Sequence, residues 1–293
     1  MDSENLKTFI AVAQLHSFSL AGEQLHLTQP AVSKRIAALE QQLGQNLFHR
    51  VNRRVELTPS GKILFSRAGQ IMQAIEDTRR ALVDLSGEVR GELRVATSHH
   101  IGLHKLPPVL RQFVARYPQV NLRFEFLDSE VAHSRVLKGE CELAVVTFAP
   151  EPSLQLQHIT LWQDPLCFVA SPILAANITP SLAALSQQPA ILPDLSTYTG
   201  RLIQRCFSEH QLPLHITMAT NYLETIKMLV SVGLGWSLLP ATLLDAQIVA
   251  LPIPVQLHRE LGVICHPKRH LSRAAEAFLN LLQESQFQPR NLN

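Results

Sequence analysis

Long apolar runs are missing from this chain of 293 residues. No stretch reaches the roughly 18 residues that a transmembrane helix needs, so no membrane partner is expected. Cysteine is scarce. Cys141, Cys167, Cys206 and Cys265 stand far apart and form no C-x-x-C pair, which argues against a structural zinc site or a disulfide framework. Charged residues make up 17% and hydrophobic residues 46%, a balance that excludes a disordered, collagenous or low-complexity chain. The opening Met1-Asp2-Ser3-Glu4 has no basic n-region, and only a short apolar stretch follows Lys7. A secretory signal is therefore not expected, and the cytoplasm is the expected location. Catalytic signatures are missing as well: there is no G-x-S-x-G, Walker or G-x-G-x-x-G pattern. Gly233-Leu234-Gly235 is too short for a dinucleotide loop and reads as a helix stop before a strand.

The length suggests two or three domains. The small net charge of +2 is unevenly placed, with seven Lys/Arg against five Asp/Glu in residues 1–62 and the rest of the chain balanced. Leu6, Phe9, Ile10 and Ala13 fall on one helix face. Leu20, Ala21 and Leu25 mark a second short helix, and His26-Leu27 a tight turn. Thr28 can cap a third helix, with Pro30 in its first turn. Val32, Ile36, Leu39 and Leu43 bury one side of that helix, and Gly44 ends it. Two short helices joined by such a turn form a helix-turn-helix. The outward face of the third helix carries Gln29, Ser33 and Lys34, with Arg35 beside them, residue types that read base edges in the major groove. Leu47 to Leu57 reads as a hairpin, or wing, turning at Asn52-Arg53. Its Arg50, Arg53 and Arg54 suit phosphate contacts, which position a protein without specifying sequence.

Thr58-Pro59-Ser60-Gly61 starts a long helix. Leu64, Ala68, Ile71, Ile75, Thr78, Leu82 and Leu85 are spaced alternately four and three apart, a heptad seam for which a second copy of the helix is the simplest partner. Ser86 to Gly91 reads as a hinge. From Glu92 strands and helices alternate, which predicts parallel sheets with helices on both sides. Two units of similar size fit the remaining length, with chain crossings near Gln163 and Cys265.

These residues resemble the LysR-type transcriptional regulators of bacteria. Phe9-Ile10-Ala11-Val12-Ala13, Ser17-Phe18-Ser19-Leu20-Ala21, Leu25 to Ser33, Ile36-Ala37-Ala38-Leu39-Glu40, Leu43-Gly44, Leu47-Phe48, Arg50, Arg54 and Leu57 to Gly61 are similar to the family's winged helix-turn-helix almost position by position. Gly22 departs from the usual alanine; a mid-helix glycine costs about 0.5–1 kcal/mol, so a looser second helix is expected. Leu106-Pro107-Pro108, Gly139 to Val145 and Val232 to Pro240 look like landmarks of the family's effector domain. The resemblance implies an α+β multidomain chain: a winged helix-turn-helix (1–60), a linker and dimerisation helix with its hinge (61–90), and a two-lobed α/β effector domain like a periplasmic binding protein (91–293). Lobe I would take about 91–162 and 266–293, and lobe II about 163–265. It also implies double-stranded promoter DNA, a small-molecule effector, homodimers assembling into homotetramers, and RNA polymerase as partners, with no cofactor. Such regulators often repress their own gene and control a divergent neighbour. Thr28, Gln29, Pro30, Ser33, Lys34, Arg35, Arg50, Arg53, Arg54 and Thr58 are the candidate DNA contacts.

In α/β lobes, ligands sit beyond the carboxyl ends of strands, often at helix N-termini. That rule selects Thr97, Ser98, His99, His100, Thr147 and Phe148 in one lobe, and Ser196, Thr197, Tyr198, Asn221 and Tyr222 in the other, lining suited to a small anion. Capping is the competing role for the Ser, Thr and Asn residues among them. His100 and His104 share an i, i+4 spacing that can hold a metal, yet no third ligand is near in sequence, so no metal is expected. Two other readings compete: a redox-sensing regulator using Cys206, which lacks a nearby resolving cysteine, and a small-molecule-processing enzyme of α/β fold.

Overall fold

Every short helix of the N-terminal unit begins at a residue able to cap it. The computed structural model describes residues 1–51, 54–85 and 87–285, with the side chains at 50, 51 and 54 outside that description. It divides into two units, Met1–Leu85 and Ser86–Asn293. In the first, α1 (Ser3–Leu15), α2 (Phe18–Leu25) and α3 (Gln29–Leu43) are capped by side-chain oxygens of Asp2, Ser17 and Thr28. His16, His26 and Gly44, all at positive φ, end them. Leu6, Phe9, Val12, Ala21, Val32, Ile36 and Leu39 form a fully buried core. β1 (Phe48–Val51) and β2 (Arg54–Leu57) pair antiparallel from Phe48↔Leu57 to Val51↔Arg54, and the Asn52-Arg53 turn of the expected wing lies outside the described residues.

Gly22 has a steric reason that its sequence position does not show. A Cβ there would stand 2.7 Å from the Leu27 carbonyl oxygen. The glycine lets the turn close on α2, where the Leu27 N–H donates to the Gly22 carbonyl at 2.8 Å. α4 (Pro59–Asp84) is capped by Thr58 and belongs to the N-terminal unit.

The second unit runs β3 (Gly91–Thr97), α5 (His99–His104), α6 (Pro107–Arg116), β4 (Val120–Phe126), α7 (Ser129–Lys138), β5 (Leu143–Thr147), β6 (Gln157–Ala170), α8 (Pro172–Ala176), α9 (Leu182–Leu185), β7 (Ala190–Leu192), α10 (Tyr198–Glu209), β8 (Ile216–Ala219), α11 (Leu223–Ser231), β9 (Ser237–Pro240), β10 (Val249–Ala250), β11 (Leu257–Cys265) and α12 (Arg273–Glu284). Each lobe buries apolar residues on both faces of its strands. Val95, Phe113, Val263 and Phe278 pack on one side of lobe I, and Ala132, Val136 and Val146 on the other. In lobe II, Trp236 stacks on Phe207 at 5.4 Å, while Ile191, Ile226 and Leu239 fill the opposite face.

The sheets are mixed, which corrects the all-parallel expectation. β3–β4, β3–β5 and β7–β8 are parallel, but β11 runs antiparallel to β5 and β6, and β6 antiparallel to β9 and β10. The cause is the long strand β6, whose first half packs with lobe I and whose second half packs with lobe II. β11 returns beside it, so one seven-stranded sheet passes through both lobes. The return crossing also falls earlier than Cys265. Leu257 packs with lobe II, whereas Leu261, Val263 and Cys265 belong to the lobe I core.

Candidate DNA-reading face and effector cleft

α3 turns Val32, Ile36 and Leu39 inward and leaves Thr28, Gln29, Pro30 and Lys34 exposed, with Ser33 half-buried. The Gln29 side-chain amide donates to the Ser33 hydroxyl at 3.3 Å, so these two predicted readers lie side by side one turn apart. Arg35 departs from the expectation. Its guanidinium turns back to α1, 3.3 Å from the Glu4 carboxylate and 3.4 Å from the Thr8 hydroxyl. Thr58 departs too: it is buried, donates to the Asn46 carbonyl at 2.6 Å and accepts from the Gly61 N–H at 2.9 Å, so its hydroxyl is committed to the start of α4. The wing side chains Arg50, Arg53 and Arg54 lie outside the described residues.

The expected seam on α4 divides in two. Ala68 is fully buried in the core of its own unit, and Leu64 and Ile71 pack against that core. Ala68 is thus taken up within its own unit, and Leu64 and Ile71 are half-buried against the same core. Ile75 is half-buried, while Leu82 and Leu85 are 63% and 80% exposed.

In the second unit, the ends of β3, β4, β5, β7 and β8 converge between the lobes. Ser98, His99, His100, Thr147, Thr197, Tyr198 and Asn221 line a cavity of about 60 Å³ there. Asp128, Ser129, Glu130, Thr199 and Arg259 line it as well and were not foreseen. Four expected residues do not reach it. Thr97 is fully buried and donates to the Val145 carbonyl at 2.8 Å. Phe148 is buried below, its ring edge-on to His158 at 5.1 Å. Ser196 is exposed in the turn before α10, its N–H on the Asp194 carboxylate. Tyr222 is exposed outside the cavity, with its ring 4.7 Å from that of His99. Thr197 lines the cavity but is also a cap: it accepts from the Gly200 N–H at 3.0 Å and donates to the Asp194 carbonyl at 2.7 Å. Gly200 permits this tight start, because a Cβ would meet the Asp194 carbonyl at 2.2 Å. Ser98 precedes α5 without any capping bond from its side chain.

Polar bridges join the lobes across the cavity. The Asn221 amide donates to Asp128 at 2.7 Å and accepts from the Asp194 N–H at 3.0 Å. The Tyr198 N–H, in the first turn of α10, donates to the Glu130 carboxylate. Burial raises the Glu130 pKa against the lowering effect of that bond. His104 Nε2 lies 2.8 Å from Glu224 Oε1, and His100 Nδ1 lies 3.6 Å from the same oxygen. The imidazoles of His100 and His104 hold Glu224 down to about 2 against its burial, while burial lowers His100. At the crossing, Arg259 meets its cross-strand partner Asp164, Nε to Oδ2 at 2.8 Å, and donates to the Thr199 hydroxyl at 3.0 Å. Its Nη2 is buried and has no hydrogen-bond partner among the described residues.

A larger open groove of about 730 Å³ is lined by His133, Tyr198, Arg201 and Arg205. It lacks the convergence of strand ends that defines the cleft, so we place the candidate effector site at the smaller cavity. The cysteines do not suit redox sensing. Burial raises the thiol pKa of all four, Cys206 included, and takes Cys141 to about 11, whereas a reactive thiol needs the opposite shift.

Asp128 follows β4 as Ser98 follows β3, so the strand-end rule could have found it. Arg259 sits within a strand, and no local pattern marks it.

Residues 3–62 match the family described as "Bacterial regulatory helix-turn-helix protein, lysR family", and residues 86–286 match "LysR substrate binding domain". The chain is 64% identical over 108 residues to an HTH-type transcriptional regulator in the ibpB-leuC intergenic region of Azotobacter vinelandii, covering 37% of this chain and 75% of that one. It is 32% identical over 243 residues to the HTH-type transcriptional regulator YofA of Bacillus velezensis, covering 83% of this chain and 82% of the other. Among solved structures, CbnR, a LysR family transcriptional regulator, is similar with a TM-score of 0.64 and 21% identity, covering 98% of this chain and 100% of that chain. CbnR has also been solved with its target DNA, and that structure gives a TM-score of 0.64 at 22% identity over 97% and 100% of the two chains. At such identity the likeness is one of fold.

Proposed function

The chain belongs to the LysR family of transcriptional regulators, and on that premise we propose that a small carboxylate effector entering the cleft changes how paired α3 helices bind promoter DNA. Gln29 and Ser33 read base edges, Lys34 assists them, and the wing arginines hold phosphates. Leu82 and Leu85 meet a second copy of α4, and dimers pair into tetramers that contact RNA polymerase. The cleft serves binding rather than turnover, and the regulator works in the cytoplasm. No described helix is long and apolar enough to cross a membrane.

One observation carries the effector reading: the chain places its own carboxylate, Glu130, on the Tyr198 N–H at the start of α10. Helix N-termini favour anions through their free N–H groups and dipole. An engineered cavity of about 150 Å³ holds benzene, and ordinary ligand pockets span about 300–1,000 Å³. At about 60 Å³ the cleft must open for any effector larger than a few waters. Asp128 and Glu130 make the lining acidic, so an anionic effector enters by exchange with Glu130 and takes the Tyr198 N–H together with Arg259.

The test titrates operator binding by full-length protein against a panel of small mono- and dicarboxylates, in the wild type and in Ser98→Ala. Since the Ser98 hydroxyl makes no capping bond, the variant should keep its fold and its effector-free DNA affinity while responding at higher effector concentration. A collapse of effector-free affinity with a normal response would make Ser98 structural and remove it from the site.

A further inference from the structure

His100 and His104 lie one turn apart on α5, with ring centroids 4.8 Å apart. Glu224, in the first turn of α11 on the other lobe, brings Oε1 to 2.8 Å from His104 Nε2 and 3.6 Å from His100 Nδ1. One donor atom from each of the three residues falls within 4.8 Å of the others. His100 is only 4% exposed; its Nδ1 faces the Glu224 oxygen from beyond hydrogen-bond range, and among the described residues neither ring nitrogen has a hydrogen-bond partner. A buried imidazole with both nitrogens unsatisfied is costly and rare. We propose that His100, His104 and Glu224 bind a zinc-class divalent transition metal that fastens lobe I to lobe II.

The donor set decides the metal class. Two imidazoles and one carboxylate suit zinc, nickel or cobalt, whereas calcium and magnesium prefer all-oxygen sites. Metal–ligand bonds of about 2.1 Å in a tetrahedron put neighbouring donor atoms about 3.4 Å apart. The His100–Glu224 separation is close to this and His104 lies about half an ångström too near Glu224, while the two imidazole donors, within 4.8 Å of each other, must close by up to about 1.4 Å. Three protein ligands leave a fourth position for water or an effector oxygen, and His100 also lines the cleft cavity. Metal bound here would join α5 of lobe I to α11 of lobe II.

The experiment strips full-length protein with a chelator, titrates it with Co²⁺ while recording visible absorption, and measures Zn²⁺ affinity by competition with a chromogenic chelator. The wild type should bind one equivalent with the spectrum of four-coordinate cobalt. His104→Ala and Glu224→Gln should each weaken binding by about 100-fold, the upper end of what even outer-shell changes cost. Glu224→Gln keeps the side-chain shape and decides the matter should His104→Ala fail to fold. Equal affinity in the wild type and both variants would place the metal on others of the chain's thirteen histidines. No stoichiometric binding by the wild type would leave a histidine–carboxylate latch only. Either result overturns the site.

Discussion

Replacing Arg259 by alanine tests the joint between the lobes. Its partner Asp164 is 1% exposed and sits directly opposite on β6, where the two strands cross from one lobe to the other. Truncating the arginine leaves a buried carboxylate whose Oδ1 already lacks a partner among the described residues. Breaking a buried pair by removing one member costs about 3–5 kcal/mol, and the Thr199 hydroxyl loses its donor as well. Against a total stability of about 5–15 kcal/mol, this is a large fraction. The assay is urea unfolding followed by tryptophan fluorescence. Both tryptophans of the chain, Trp162 and Trp236, lie in the second unit, so the signal reports that unit alone. The midpoint should fall with little change in the denaturant slope. Asp164→Leu combined with Arg259→Leu should recover most of the loss, because removing both charges leaves no orphan. A loss below about 1 kcal/mol in Arg259→Ala, or a double variant no better than the single one, would refute the buried-pair reasoning.

Gln29→Ala should lower operator affinity by about 1–3 kcal/mol and relax preference at one base position; equal weakening on random DNA would count against base reading. Leu82→Glu, at an exposed site, should weaken self-association in sedimentation while helical content stays unchanged, whereas Ile71→Glu should destabilise the N-terminal unit because the half-buried Ile71 packs against its core. His133 is buried in lobe I with its pKa lowered first by burial and then by His158. Its neutral form is favoured in the fold, so the stability it contributes is full above the unfolded value of about 6.5 and falls as pH drops toward the lowered folded value. Each tenfold difference in proton affinity between the folded and unfolded states is worth about 1.4 kcal/mol. Urea midpoints at pH 7.5 and 5.5 should show a smaller acid loss in His133→Gln than in the wild type, and equal losses would sink the assignment.

Periodicity and caps make the N-terminal unit legible, because its helices are short, amphipathic and locally capped. Thr28, Gly44 and the Val32–Ile36–Leu39 face need no long-range information. Arg35 is misplaced by a helix wheel, which puts it beside the reading face but cannot show Glu4, thirty-one positions earlier, across the turn. The α4 seam is ambiguous for a similar reason: a four-three spacing is equally served by a partner helix and by α1 of the same chain. In the cleft, the strand-end rule finds residues at helix starts, such as Ser98 and Asn221, and overreaches to Thr97, whose hydroxyl is spent on a neighbouring strand. Glu224 and Arg259 cannot be found from spacing, since their partners lie 120 and 95 residues away.

Glu130 sets how tightly an effector can bind. A ligand carboxylate arriving at α10 replaces one carboxylate with another, so the bond to the Tyr198 N–H adds nothing net. Only the remaining contacts, with Arg259, Ser98 and the cleft walls, supply affinity, and an effector shifts the lobes by no more than its difference in affinity between the two forms. Glu130→Ala removes the internal competitor. A hydrogen bond to a charged group is worth about 1.5–3 kcal/mol net, or about ten- to a hundredfold in affinity, and this is an upper bound because water takes over part of the vacated N–H. The variant should therefore respond to carboxylate effectors at lower concentration, with its effector-free DNA binding shifted toward that of the effector-bound wild type. The measurement is DNA binding across an effector titration, wild type beside variant. A response moved to higher concentration would mean that Glu130 holds the effector itself, and the exchange mechanism would fail.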